Sequence, residues 1–218
     1  MERILGIMSI LCLTVPLKVA EVLSGLPVPG KKTHPESYHV TLSYLPRLPI
    51  DEVARLMEVT AAYLEKQRPF DTIMDEVGTF PKDSAIPQEI AGEKGIPIIV
   101  KFQTPYLISF QNGLEKALLE AGFEFSKDYP EFIPHLTLSY SSSQKDRNFS
   151  LNFPPVSAEH TQVSFWGGSR LGGIMFKLPI GKKLSSAFNG TGAQSCQESK
   201  SNNSSLEKIT AGASSLKI

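Results

Sequence analysis

A chain of 218 residues that is 41% hydrophobic and 20% charged is long enough to bury one sizeable core and ordinary enough in composition to be globular. Its 22 Lys and Arg balance its 22 Asp and Glu. This zero net charge argues against gripping long duplex nucleic acid through many phosphates, but is compatible with a small nucleotide or an RNA end held by a local patch. The two cysteines, Cys12 in an apolar run and Cys196 in a polar tail, make no disulfide framework, and reduced thiols are expected.

In chain order, residues 4–15 form an apolar run too short to span a bilayer. It reads either as the core of a secretory signal or as a buried central strand, and the helical pattern directly after it favours the strand. Pro16 to Leu23 reads as a short helix with Pro in its first turn, closed by Gly25. Residues 26–37 form a Pro- and Gly-rich loop carrying Lys31, Lys32 and His34, either a solvated loop or a basic lip. The phrase His39-Val40-Thr41-Leu42-Ser43-Tyr44 then alternates polar and apolar, the period of a half-buried strand. Asp51 to Gln67 reads as an amphipathic helix capped by Asp51, with Val53, Leu56, Met57, Thr60 and Leu64 as its apolar stripe.

Phe70 to Phe80 reads as a strand, turned by Pro81-Lys82-Asp83 into a loop over 84–95. Ile96 to Phe102 is a β-rich run in which Pro97 argues for an edge or a strand start. Tyr106 to Ala121 is a second long helix, ended by Gly122. The strand phrase then returns as His135-Leu136-Thr137-Leu138-Ser139-Tyr140. After Ser141 a polar turn leads to two more strands, Gln162 to Trp166 and Gly172 to Leu178. Gly167 to Leu171, between them, lacks the spacing of a phosphate-cradling loop and reads as a hairpin turn, with Trp166 in the core or at a lip. The domain is expected over 1–181, with a disordered polar tail over 182–218. Asn-x-Ser/Thr triplets at Asn148, Asn189, Asn202 and Asn203 matter only in a secreted chain.

One His-x-Thr carries little information; two copies, both followed by Leu-Ser-Tyr, carry much more. In a regular strand His, Thr and Ser share one face, so each copy offers an imidazole and hydroxyls over an apolar underside. Two such strands sharing a cleft make a minimal kit for acid–base chemistry on a phosphodiester. The paired phrases resemble those of the 2H phosphoesterase superfamily, which includes RNA 2′,5′-ligase-like proteins and cyclic phosphodiesterases. The flanks Pro35–Leu45, Phe70–Pro81 and Phe132–Ser141 resemble that family too, and the likeness covers roughly residues 5–180. It implies an α+β, bilobal, pseudo-twofold fold of two antiparallel sheets with helices outside and both motifs facing a central cleft. It also implies neither metal nor cofactor. The chain departs from the family where Glu131 and Phe132 stand in place of a frequent basic residue before the second Pro-His.

On this reading His39 and His135 are the acid and the base, in an order the pseudo-symmetry conceals. Thr41 and Thr137 donate to the non-bridging oxygens. Ser43, Ser139, Tyr44 and Tyr140 are substrate-binding candidates. His34 and His39 are a weak metal pair with no carboxylate partner, and His160 reads as surface or core. The expected activity is metal-independent cleavage or transesterification of a 2′,5′ linkage, a 2′,3′-cyclic phosphate or a cyclic oligonucleotide, with viral destruction of host cyclic nucleotide signals as one role. The alternative is a non-catalytic module binding such nucleotides or RNA ends in the same cleft. A cytoplasmic monomer without membrane association is expected.

Overall fold

The computed structural model describes residues 7–48, 50–80, 95–102, 104–125, 132–167 and 174–182. It shows two sheets, in which every pairing among the described residues is antiparallel. The first contains β1 (Ile7–Thr14), β3 (His39–Leu48), β8 (Gln162–Gly167) and β9 (Ile174–Pro179), in the order β3-β1-β8-β9. The second contains β2 (Lys31–Lys32), β4 (Phe70–Gly78), β5 (Ile96–Lys101), β6 (His135–Ser141) and β7 (Leu151–His160), in the order β2-β6-β5-β4-β7. Helices α1 (Leu17–Ser24), α2 (Ile50–Leu64) and α3 (Pro105–Glu120) complete an α+β architecture.

Each motif strand pairs with the strand that precedes it by one helix, β1-α1-β3 in one sheet and β5-α3-β6 in the other. The strand beyond that partner in each sheet, β8 or β4, comes from the other half of the chain. This interleaving is the expected pseudo-twofold, bilobal arrangement.

The apolar run at the start of the chain is β1, flanked by β3 and β8, with Leu11, Cys12 and Leu13 fully buried. A strand with partners on both sides and cover on both faces needs a continuous apolar run. Burial pushes the Cys12 thiol up to about 12, so it stays neutral. The expected stripe of α2 is buried at Val53, Leu56, Met57, Thr60 and Leu64. The helix begins at Ile50, so Asp51 falls inside its first turn instead of capping it; its side chain lies outside the described residues. Pro16 stands just before α1, and Gly25 ends it in a right-handed conformation. Lys32 Nζ donates to the carbonyls of Ser24, at 2.6 Å, and Leu26, at 2.8 Å. It thus serves orphan carbonyls at the helix end and is not part of a basic lip.

The sequence pattern predicts two strands after Ser141; there is a third, β7. Its Pro154-Pro155 pair argues against a strand. The structure accommodates both prolines because β7 is an edge strand, and its pairing with β4 is irregular between Met74 and Glu76, opposite them. The turn at 81–83, the loop from 84 to 94, Gly168 to Leu171 of the proposed hairpin turn, Glu131, Cys196, Asn189, Asn202, Asn203 and the tail from 183 lie outside the described residues. Among the described residues no helix is long and apolar enough to cross a membrane.

Candidate active site

A cavity of about 250 Å³ lies between the two motif strands. Four of its lining residues are His39, Thr41, His135 and Thr137. The other three are Thr33, Ser37 and Tyr140. Among the described residues its lining holds no carboxylate, Lys or Arg, and no group of three metal-ligating side chains occurs.

Ser43 and Ser139 are not there, because neither strand alternates to its end. Leu11 pairs with Ser43 but Cys12 with Thr41, leaving Leu42 without a partner. Ile98 pairs with Ser139 but Ile99 with Thr137, leaving Leu138 without one. Each motif strand therefore carries a β-bulge at the same place in the phrase. Beyond the bulge the faces exchange. Leu42 and Ser43 are buried in succession, as are Leu138 and Ser139, while Tyr44 and Tyr140 return to the half-buried side of His and Thr. Both serines are thus corrected from cleft to core. Ser139 Oγ donates to the Pro29 carbonyl at 2.6 Å, and Ser43 Oγ has no hydrogen-bond partner. Tyr140 lines the cavity and Tyr44 does not. The Leu42 carbonyl accepts from Gln111 Nε2 of α3 at 3.0 Å, and the Leu138 carbonyl from the Thr33 backbone N–H at 2.8 Å.

The imidazoles are anchored alike. His39 Nδ1 lies 2.7 Å from the Ser37 carbonyl, and His135 Nδ1 lies 2.7 Å from the Ile133 carbonyl. A carbonyl only accepts, so each Nδ1 carries the hydrogen and each Nε2 is left as the nitrogen that gains or loses a proton. Each ring also has an aromatic neighbour with its centroid at 4.6 Å: Trp166 of β8 against His39, tilted by 59°, and Phe80 just after β4 against His135, edge-on at 77°. Trp166 lies on β8 and Phe80 two residues past the end of β4, and β8 and β4 each stand two strands from the motif strand of their sheet, so the two rings are counterparts in the pseudo-twofold.

The loop before the first motif does more than bring His39 into place. Residues 29–33 run along the second motif strand, with Lys31 opposite Tyr140 and Lys32 opposite Ser139. Gly30 permits the approach: at φ +86° a Cβ there would sit 2.3 Å from the Tyr140 carbonyl oxygen. Thr33 Oγ1 donates to the Thr137 and Leu138 carbonyls at 2.9 and 3.0 Å. This strap carries Thr33 and Ser37 into the cavity; a two-residue strand has no period for a sequence reading to find.

No protein-family model matches the chain. Over 110 residues it is 33% identical to an RNA 2′,3′-cyclic phosphodiesterase of Geobacillus stearothermophilus, a match that spans 49% of this chain and only 31% of that relative. Among solved structures it resembles TT0787 of Thermus thermophilus, with a TM-score of 0.62 and 17% identity over 80% of this chain and 98% of that one. It also resembles E. coli LigT complexed with 3′-AMP, with a TM-score of 0.55 and 17% identity over 80% and 95% of the two chains. The fold is theirs.

In the cleft, burial lowers the pKa of both histidines, and their backbone hydrogen bonds oppose it; at His135 the facing His39 lowers it further. The remaining histidines stay apart from the cleft. His34 is exposed, 3.7 Å from Glu36. His160 is buried in the second sheet with Nε2 2.9 Å from Thr72 Oγ1, and burial lowers its pKa to about 4.

Proposed function

We propose that this chain is a 2H-type phosphodiesterase that cleaves a nucleotide phosphodiester through its two histidines. One cavity lined by two imidazoles, each tethered through Nδ1 so that Nε2 is left to titrate, is the observation that carries the reading. Breaking the diester needs one group to take the proton of the attacking oxygen and another to protonate the leaving oxygen. Two imidazoles facing one phosphate perform both tasks. Thr41 and Thr137 sit two residues along from them and donate to the non-bridging oxygens as charge develops. Tyr140, Thr33 and Ser37 supply further polar contacts from the second strand and the strap. Water is the nucleophile in hydrolysis, and a ribose 2′-hydroxyl in transesterification.

The substrate class we favour is a nucleoside or RNA end bearing a 2′,3′-cyclic phosphate. The partial relative named for that activity and the LigT complex with 3′-AMP support it. The cavity lining offers two imidazoles and hydroxyls as its polar groups among the described residues, and these side chains carry the proton transfers. A panel of 2′,3′-cyclic nucleotides, 2′,5′-linked oligomers and cyclic oligonucleotides, assayed with EDTA, tests this. Turnover of at least one member that survives chelation and disappears in the His39→Ala/His135→Ala double variant is expected. Turnover that persists in the double variant, or stops with EDTA, overturns it. Binding without turnover would make the protein a nucleotide-binding module.

A further inference from the structure

The two histidines are alike in sequence, strand position and backbone tether, but not in their aromatic neighbours. His39 lies against an indole, and His135 against a phenyl ring in a T-shaped pair. An indole face stabilises a nearby cation more than a phenyl ring does, and the His39 ring is within cation–π range of it. The titratable groups lining the cavity are His39, His135 and Tyr140, so the charge His39 faces across the cleft is that of His135. Two imidazoles sharing a cleft resist double protonation, and a single proton rests where it is better stabilised.

Building on the phosphodiesterase reading, we propose that Trp166 is a positioning residue that holds the His39 imidazole and stabilises its protonated form, so that His39 is the proton donor and His135 the acceptor. In the forward step the nucleophile's oxygen bonds to phosphorus and its proton passes to His135 Nε2. The bond from phosphorus to the leaving oxygen breaks, and that oxygen takes the proton of His39 Nε2. Proton return from His135 to His39, directly or through water, resets the pair.

A donor matters only when the leaving oxygen needs a proton, which separates the two roles. The probes are a nucleoside 2′,3′-cyclic phosphate, whose leaving alkoxide must be protonated, and a p-nitrophenyl phosphodiester, whose nitrophenolate leaves without a proton. His39→Ala is expected to lose about 10²–10⁴-fold on the first and less than about tenfold on the second, while His135→Ala loses heavily on both. Trp166→Leu is expected to follow His39→Ala in kind, losing about 2- to 30-fold on the cyclic phosphate and little on the nitrophenyl diester. Trp166→Phe recovers part of that loss, and thermal unfolding verifies that both variants fold. NMR of the imidazole nitrogens in the free protein gives a readout without turnover: lowering the pH protonates His39 before His135, and Trp166→Leu removes that order. Equal losses on both probes for His39→Ala or Trp166→Leu, or His135 taking the first proton, overturn the inference and leave the two-histidine function standing. A wild-type protein that turns over neither diester overturns the enzymatic reading and the donor role with it; the NMR order then decides only whether Trp166 holds a cation at His39.

Discussion

Removing the hydroxyl from Ser139 and from Ser43, matched positions in the two phrases, should have opposite effects on stability. In Ser139→Ala the half-buried Pro29 carbonyl loses a 2.6 Å donor from a buried hydroxyl. Losing that hydrogen bond costs about 0.5–1.5 kcal/mol, which for a chain of this size lowers Tm by about 1–6 °C. The Ser43 hydroxyl is buried and already unpartnered, so Ser43→Ala removes a group whose desolvation nothing repays. That change should be neutral or stabilising, by up to about 2 kcal/mol. Thermal unfolding followed by circular dichroism measures the two shifts, and a turnover assay accompanies it. Ser43→Ala should keep its rate within about tenfold of wild type, since Ser43 does not line the cavity. Were both strands regular, both serines would face the cleft, and both variants would lose rate and keep stability. Equal Tm shifts, or a large rate loss in Ser43→Ala, would refute the paired bulges.

Replacing His39 or His135 by Ala should each remove about 10²–10⁴-fold of kcat/KM on the cyclic phosphate, with the double variant losing less than the product of the two because they act as a unit. Thr41→Val or Thr137→Val should lose about 10–10³-fold, measured in the same assay. Because both cleft histidines have lowered pKa values, both limbs of the bell-shaped kcat/KM profile should shift downward, placing the optimum below about pH 6.5, the ordinary histidine range; an optimum above neutrality would contradict this. At His160 the unfolded chain takes up a proton near pH 6.5 and the folded chain only at about 4, so the unfolded state binds more protons between them. Stability should therefore be full above that window and fall by about 3 kcal/mol as the pH drops through it. His160→Gln should flatten that dependence in denaturant titrations run across the same range.

The period of two made both motif strands legible, and the chain's repetition of one phrase brought His39, Thr41, His135 and Thr137 forward as a set before any geometry was known. The helices α2 and α3 were equally plain, because a 3.6-residue stripe needs only its own neighbours to be recognised. The β1 run was legible as apolar and short, though its sequence alone left a signal segment open. What tertiary structure decided is what depends on a second strand. A bulge is a mismatch of register between partners, so no local pattern around Leu42 or Leu138 announces it; yet it sends Ser43 and Ser139 into the core and Tyr140 into the cavity. β7 was hidden behind Pro154 and Pro155 because their tolerance depends on an edge position that only the finished sheet defines. The strap over residues 29–33 pairs with a strand more than a hundred positions onward, and Trp166 and Phe80 reach the histidines from segments distant in the chain. Local periodicity fixes which face a side chain prefers; the partner strand fixes where that face ends and which chemistry meets across it.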